Sequence, residues 1–545
     1  MKKIINHKKF SQWMTVITLS IIIATINIFH VIIGYAKTPS GFTYLATGHY
    51  YLDYFEYLQH IASGLAGRWL PLNYFSTDDF GVDLRFFPYI MLGKIAWIFH
   101  LSPMTTYWLA VFFLTVFTLI GFFFIINLML NKEAFYLKII AFLIAVFSSP
   151  AYQILINNGQ PILNPYDFWY GPAIFIRRFG VVPYHTLGLL LLLLIVIVIN
   201  KIWRVILNLS KKALLIKVFW VATLLVVLMT FSPLVLASLI PALLITSSIY
   251  FIREKNIRTK IFLFNLIILI LIIPVGLFLR NTRGYGGIGF ELLWIERVPW
   301  WFLLLNLGPM ILFFPFGLLD YLKTNNFLRR ILLIFTLISY ILFLSPAAYY
   351  LGIHNLRFFS SISYICFGVL TVFGLKKLSN LFKKQKKKVI ILLSLLLIIY
   401  SCVLNYDSLK KRLVGLDPRT PVTMLTYVPS SLITGLQSLK NYPETNVLTG
   451  PYGQVGLLVP IFSFRRVYTA YRGTVNLEKK QAASNLFFEG KMTENEAKNF
   501  LKTNKLGFVI LTPLDNYQAK NLNRYRFLKP IYNKESIIIW EVNND

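Results

Sequence analysis

The side chains in this sequence best suited to chemistry are a few carboxyl and guanidinium groups set between long apolar runs. Asp53 and Glu56 lie in Asp53-Tyr-Phe-Glu56-Tyr57, Asp78 and Asp79 in Asp78-Asp79-Phe-Gly-Val-Asp83, and Asp167 in Pro165-Tyr-Asp167-Phe-Trp-Tyr-Gly-Pro172. Arg177-Arg178 follow, then His185, and Arg357 ends His354-Asn-Leu-Arg357. A carboxylate can accept a proton from a reacting group or hold a cation. An acid residue next to a membrane surface is costly to desolvate unless it is paired or used, which makes these residues functional candidates. Each has a plainer reading. Asp78, Asp79 and Asp83 could be solvated loop residues, Arg177-Arg178 could bind lipid headgroups, Arg357 could snorkel at a helix end and His185 could be a satisfied helix-start histidine.

The elements that must position these residues are membrane spans. The chain has 545 residues, 57% hydrophobic and only 14% charged. A soluble domain carries about a quarter charged residues, so lipid is the implied solvent. The net charge of +32 does not point to nucleic acid, because the Lys and Arg sit in short loops between apolar runs and no basic domain exists to carry such binding. Runs near 12–35, 104–129, 136–155, 184–202, 216–232, 234–252, 260–279, 300–319, 330–349, 357–376 and 388–404 are spans by length and hydropathy, about eleven in all. The first run is too long for a signal sequence and is read as an uncleaved span. The stretch 86–101 is apolar but carries Pro88, Gly93 and Lys94, and it reads as an interfacial helix. Both cysteines, Cys366 and Cys402, fall in spans, so no disulfide framework is available to the exposed part.

The basic runs alternate with the spans as the positive-inside rule requires, with the N-terminus cytoplasmic. The sequence therefore predicts a polytopic α-helical membrane domain over 1–404, with extracytoplasmic loops 36–103, 156–183 and 280–299. An extracytoplasmic α/β domain follows over 405–545. In that domain Val447–Thr449, Gly507–Leu511 and Ser536–Trp540 read as strands, and Leu477–Glu489 and Thr493–Thr503 as helices, the second opened by a Thr493-Glu-Asn-Glu capping box. The run Gly284-Tyr-Gly-Gly-Ile-Gly289 matches a dinucleotide fingerprint only superficially, having no strand before it.

Asp53, Tyr57, Gly64, Gly67, Trp69, Pro88, Tyr89 and Gly93, together with the architecture, resemble the GT-C superfamily of membrane glycosyltransferases. The loop ending Arg177-Arg178-Phe-Gly-Val-Val-Pro183-Tyr-His185 is similar to the second catalytic loop of bacterial members. The C-terminal part is similar to the corresponding domain of uncharacterised bacterial members, through Gly450, Gly453, Leu457, Pro460, Arg465-Arg466-Val-Tyr468 and Lys480. One departure stands out: where the family commonly has two adjacent acids after the first span, this chain has Asp53-Tyr54.

The resemblance implies an inverting transfer of a sugar from a polyprenyl-phosphate carrier to an acceptor on the outer face of a bacterial cytoplasmic membrane. Asp53 would be the base that takes the acceptor hydroxyl's proton, since inverting chemistry needs one such group. Arg177, Arg178 and Arg357 would bind the leaving phosphate. Glu56, Asp78, Asp79, Asp167 and His185 are secondary candidates, and Asp167 is a second acid, a metal ligand or a solvated loop residue. A divalent metal is left open, and no nucleotide cofactor is expected. The expected partners are membrane lipids, the lipid-linked sugar donor and a glycan, lipid or protein acceptor, with no nucleic acid. The rival expectation is a transporter or cell-envelope scaffold that keeps the architecture without catalysis.

Overall fold

The computed structural model describes residues 2–543 except 48–50, 79–80, 169–170, 181, 283–290, 324–325, 383, 415, 417–424, 453, 471–473 and 475. Asp79 and the Gly284–Gly289 run thus lie outside the described residues. The chain forms two compact units, one of residues 1–28 with 111–411 and one of residues 29–110 with 412–545. This differs from the linear division at 404, because the first long loop packs with the C-terminal segment.

Among the described residues nine helices are long and apolar enough to span a membrane, including Pro103–Met129, Lys211–Phe231 and Lys386–Val414. Two of the eleven expected spans are shorter, Phe135–Phe147 with 13 residues and Ser363–Ser379 with 17. The chain is a polytopic helical membrane protein. Ser363–Ser379 is buried along nearly its whole length, as suits a helix packed on several sides inside the first unit. The run at 300–319 is broken: Trp300–Leu307 is followed by a tight helical turn over Gly308–Phe313 and then Phe314–Lys323. Pro309 and Pro315 withhold backbone donors there, and Gly308 takes a φ of 66° that lets its backbone press against the Ser149 carbonyl.

The run expected to span 136–155 stops at Phe147 and continues as an antiparallel hairpin, Tyr152–Asn157 with Gln160–Pro165. Asn158 and Gly159 make the turn at φ 50° and 76°. Their positive φ values are those a two-residue hairpin turn requires.

In the second unit the C-terminal domain is built on a four-stranded sheet in the order 446–449, 506–511, 537–542, 528–534. The first pair is parallel and the other two antiparallel. Helices Leu477–Phe488 and Glu494–Thr503 complete this small α/β domain, and the expected capping box forms between Thr493 and Glu496. Phe487, Phe488, Leu501, Val509, Tyr525 and Trp540 make its core. The first long loop joins this domain through strand Phe42–Tyr44, which pairs with Tyr427–Pro429, and through the Val467 N–H, which donates to the Tyr74 carbonyl at 3.0 Å.

Candidate functional site

Asp53 lies in the first turn of helix Tyr51–Leu65, where a carboxylate complements the helix dipole, and Glu56 follows three residues later. Both are half-buried. The helix crosses Phe87–Phe99 at two glycines. A Cβ on Gly64 would stand 2.3 Å from the Ile90 carbonyl oxygen, and one on Gly93 2.2 Å from that of Ile61. Only glycine permits this approach. Tyr57 stacks on Tyr89 at 4.8 Å, and the buried Tyr54 hydroxyl donates to the Leu45 carbonyl at 2.9 Å. Tyr57, Gly64, Tyr89 and Gly93, which carried part of the resemblance, thus fix the helix that bears Asp53.

His60, two turns beyond Asp53, was not singled out in the sequence. It is buried, stacks on Phe86 at 4.4 Å, and its desolvation pushes it down to about 3, so it is neutral. Asp78 is held by the buried Lys480 ammonium, and Lys480 in turn packs over Tyr468 at 4.9 Å. Asp83 pairs with Arg85 and caps the turn at Leu84–Phe86. Asp78 and Asp83 therefore stitch the loop together rather than face solvent freely.

In the first unit the two adjacent arginines part company. Arg178 is 3% exposed and stacks 3.4 Å over Tyr364. Its Nε donates to the Pro172 carbonyl at 2.9 Å, Nη1 to those of Ala145 and Val146 at 2.7 and 2.8 Å, and Nη2 to those of Ser148 and Ala173 at 2.6 Å each. Nη1 also reaches Ser148 Oγ at 3.2 Å. A guanidinium has five N–H groups, and all five are spent. The last carbonyls of a helix have no partner within it. Arg178 satisfies two of them on Phe135–Phe147, and Asn405 takes a third, its Nδ2 donating to the Phe147 carbonyl at 3.0 Å. The residue expected to bind phosphate is here a buried helix cap.

Arg177 points elsewhere and keeps 39% of its side chain exposed. Its Nη1 donates to Asp167 Oδ2 at 2.9 Å and to the Phe168 carbonyl at 2.6 Å. Its Nε and Nη2 have no hydrogen-bond partner among the described residues. Asp167 is buried, and Oδ1 accepts from the Phe168 N–H at 2.8 Å and from Asn306 Nδ2 at 3.3 Å. Burial pushes its carboxyl up from 3.8 to about 6, against the downward pull of Arg177.

The sign of this shift sets a pH dependence. The folded chain holds the Asp167 proton more tightly than the unfolded chain, so this contribution to stability is full below the ordinary carboxyl range and is lost as pH rises through about 6. Asp167→Asn is expected to remove a step near pH 6 from the thermal stability of the purified protein between pH 4 and 8. An unchanged profile would place the titration on another group.

Arg357 pairs with Glu291 at 2.8 Å, whose other oxygen accepts the His354 N–H at 3.2 Å. His185 is half-buried, its ring 4.1 Å from that of Tyr184. The structure thus brings Asp167, Arg177 and Arg178 together in the first unit, and Asp53 and Glu56 together in the second. Among the described residues no group of three or more His, Cys, Asp and Glu side chains is arranged to hold a metal ion.

No protein-family model matches the chain, and no curated protein matches it significantly. Solved structures do. ArnT from Cupriavidus metallidurans, solved bound to undecaprenyl phosphate, is similar at a TM-score of 0.50 and 10% identity over 97% of this chain and 98% of that one. The arabinofuranosyltransferase AftD from Mycobacteria is similar at 0.50 and 12% identity over 98% of this chain, which spans 40% of AftD. The oligosaccharyltransferase of Archaeoglobus fulgidus gives 0.48 at 10% identity, over 95% of this chain and 72% of that one. ArnT and AftD are GT-C membrane glycosyltransferases, and this chain has their fold.

Proposed function

We propose that the chain is an inverting glycosyltransferase that moves a sugar from a polyprenyl-phosphate carrier to an acceptor on the outer face of the cytoplasmic membrane. The fold shared with ArnT, a protein that binds undecaprenyl phosphate, supports a donor of that class. The alternation of basic runs supports a cytoplasmic N-terminus and an extracytoplasmic C-terminal domain. Asp53 is the base, presented on the first turn of a helix locked by its glycine crossing.

The observation that carries the reading is Arg177. One of its nitrogens is anchored on a buried carboxylate, while Nε and Nη2 have no partner among the described residues and the side chain is partly exposed. An arginine fixed at one corner is pre-organised to bind a phosphate with the other edge of its fork. Arg178 serves the same reading indirectly, by holding the turn that carries Arg177, and Arg357 is held through its Nη2 by Glu291. Charge-assisted hydrogen bonds contribute about 1.5–3 kcal/mol, so Arg177→Gln is expected to weaken binding of undecaprenyl phosphate by roughly tenfold or more. Titrating the lipid phosphate into protein in nanodiscs measures this. Equal affinity of the two proteins would remove Arg177 from the phosphate site.

A further inference from the structure

The hairpin Tyr152–Pro165 is used by nothing described so far, and its chemistry is unusual for an exposed element. Ile154 is 65% exposed, Leu155 44%, Ile156 79% and Ile162 40%. Ile154 and Ile156 point to one face of the ribbon and Leu155 to the other, so apolar side chains are exposed on both faces. No charged residue occurs between Lys138 and Asp167. Asn157, Asn158 and Gln160 sit at the turn, and Gln153 and Asn164 lie opposite each other at the root, where Gln153 is paired with the Tyr166 hydroxyl.

The helix leading into it sets its depth. Phe135–Phe147 has 13 residues. At 1.5 Å per residue it rises about 20 Å, against a hydrocarbon core of about 30 Å. Starting from the basic segment that holds Lys132 and Lys138, it ends short of the far boundary, and the hairpin follows within five residues. Two physical limits then bracket the ribbon. Its exposed aliphatic side chains disfavour bulk water. Its outer edges disfavour the hydrocarbon centre, since an open two-stranded ribbon leaves backbone groups unpaired. Pro161 and Pro165 reduce that penalty by lacking an N–H.

We propose that this hairpin is a membrane-interface anchor, seated at the boundary of headgroups and acyl chains in the leaflet at the C-terminal end of Phe135–Phe147, with a lipid surface as its partner. It ends two residues before Asp167, so it ties the Asp167–Arg177 pair to the lipid surface. The proposal rests on the spanning fold and not on the glycosyltransferase reading.

Spin labelling tests it. Cysteines placed singly at Ile154, Ile156, Ile162 and, as a water-facing control, Lys479 carry a nitroxide in a Cys366→Ala, Cys402→Ser background. The protein is held in nanodiscs of phosphatidylethanolamine and phosphatidylglycerol, and its elution on gel filtration reports folding. Labels at 154, 156 and 162 are expected to collide several-fold more with oxygen, relative to a water-soluble nickel chelate, than the label at 479. Collision with the chelate as frequent as at 479 would place the hairpin in water. Low collision with both reagents would place it against protein, and either result overturns the proposal.

Discussion

Replacing Asp53 with Asn is expected to lower product formation by roughly 10²–10⁴-fold, the range that a positioned general base contributes. The amide keeps the size of the carboxylate, so helix Tyr51–Leu65 and its Gly64–Gly93 crossing are kept. What it loses is the ability to take a proton from an acceptor hydroxyl. The measurement is accumulation of the polyprenyl-linked sugar and loss of the glycan in cells whose only copy carries Asp53→Asn. Asp53→Glu, which keeps the acid but moves it by about one methylene, is expected to retain more product than Asn, because proton transfer tolerates a small displacement of the base better than its absence. The scaffold alternative makes the opposite statement. If the amide variant makes as much product as the parent, Asp53 is no base and a non-catalytic role takes over.

Much of the fold is legible in the residues, because a span announces itself by composition alone. The runs at 104–129 and 388–404 needed no knowledge of their neighbours, and helices Pro103–Met129 and Lys386–Val414 hold them. Where a boundary depends on distant residues it was not legible. The run expected over 136–155 ends at Phe147 because Ser148-Ser-Pro150 follows and because Arg178 and Asn405, both remote in sequence, satisfy the freed carbonyls. The Asn158-Gly159 pair was the local signal for the hairpin, hidden by the apolar residues on either side of it. Strand Leu528–Lys534 was missed for a related reason. Lys529, Pro530 and Lys534 break the alternation of a buried strand, which an edge strand tolerates.

The site shows the same division. Gly64 and Gly93 carried part of the resemblance, and their physical cause is the close approach of two helices that no periodicity reveals. Arg177 and Arg178 are the same residue type at adjacent positions, and one is exposed where the other is buried. A single turn of helix, Phe175–Arg178, makes that distinction by turning the two side chains to different sides. Asp78 and Lys480, more than 400 residues apart, pair only because the first long loop and the C-terminal segment form one unit.

That difference between the two arginines has a second large consequence. Arg178→Ala would leave the carbonyls of Ala145, Val146, Ser148, Pro172 and Ala173 without their donor in a buried region. Each buried carbonyl left unsatisfied costs roughly 1–3 kcal/mol. Arg178→Lys is expected to fail as well, since an ammonium offers three donors in place of a planar fork of five and cannot stack flat on Tyr364. Both variants should therefore lose their monodisperse gel-filtration peak at a lower temperature than the parent, and the conservative exchange should not rescue it. Were Arg178 instead a phosphate ligand exposed to donor, Arg178→Lys would fold like the parent and lose only donor affinity. Arg177→Lys supplies the contrast within the same turn of helix: it should keep the parent's heat resistance, because its side chain is partly exposed and fills no buried cage. Heat resistance lost at 178 and kept at 177 follows from the caged guanidinium, and equal behaviour at the two positions would contradict it.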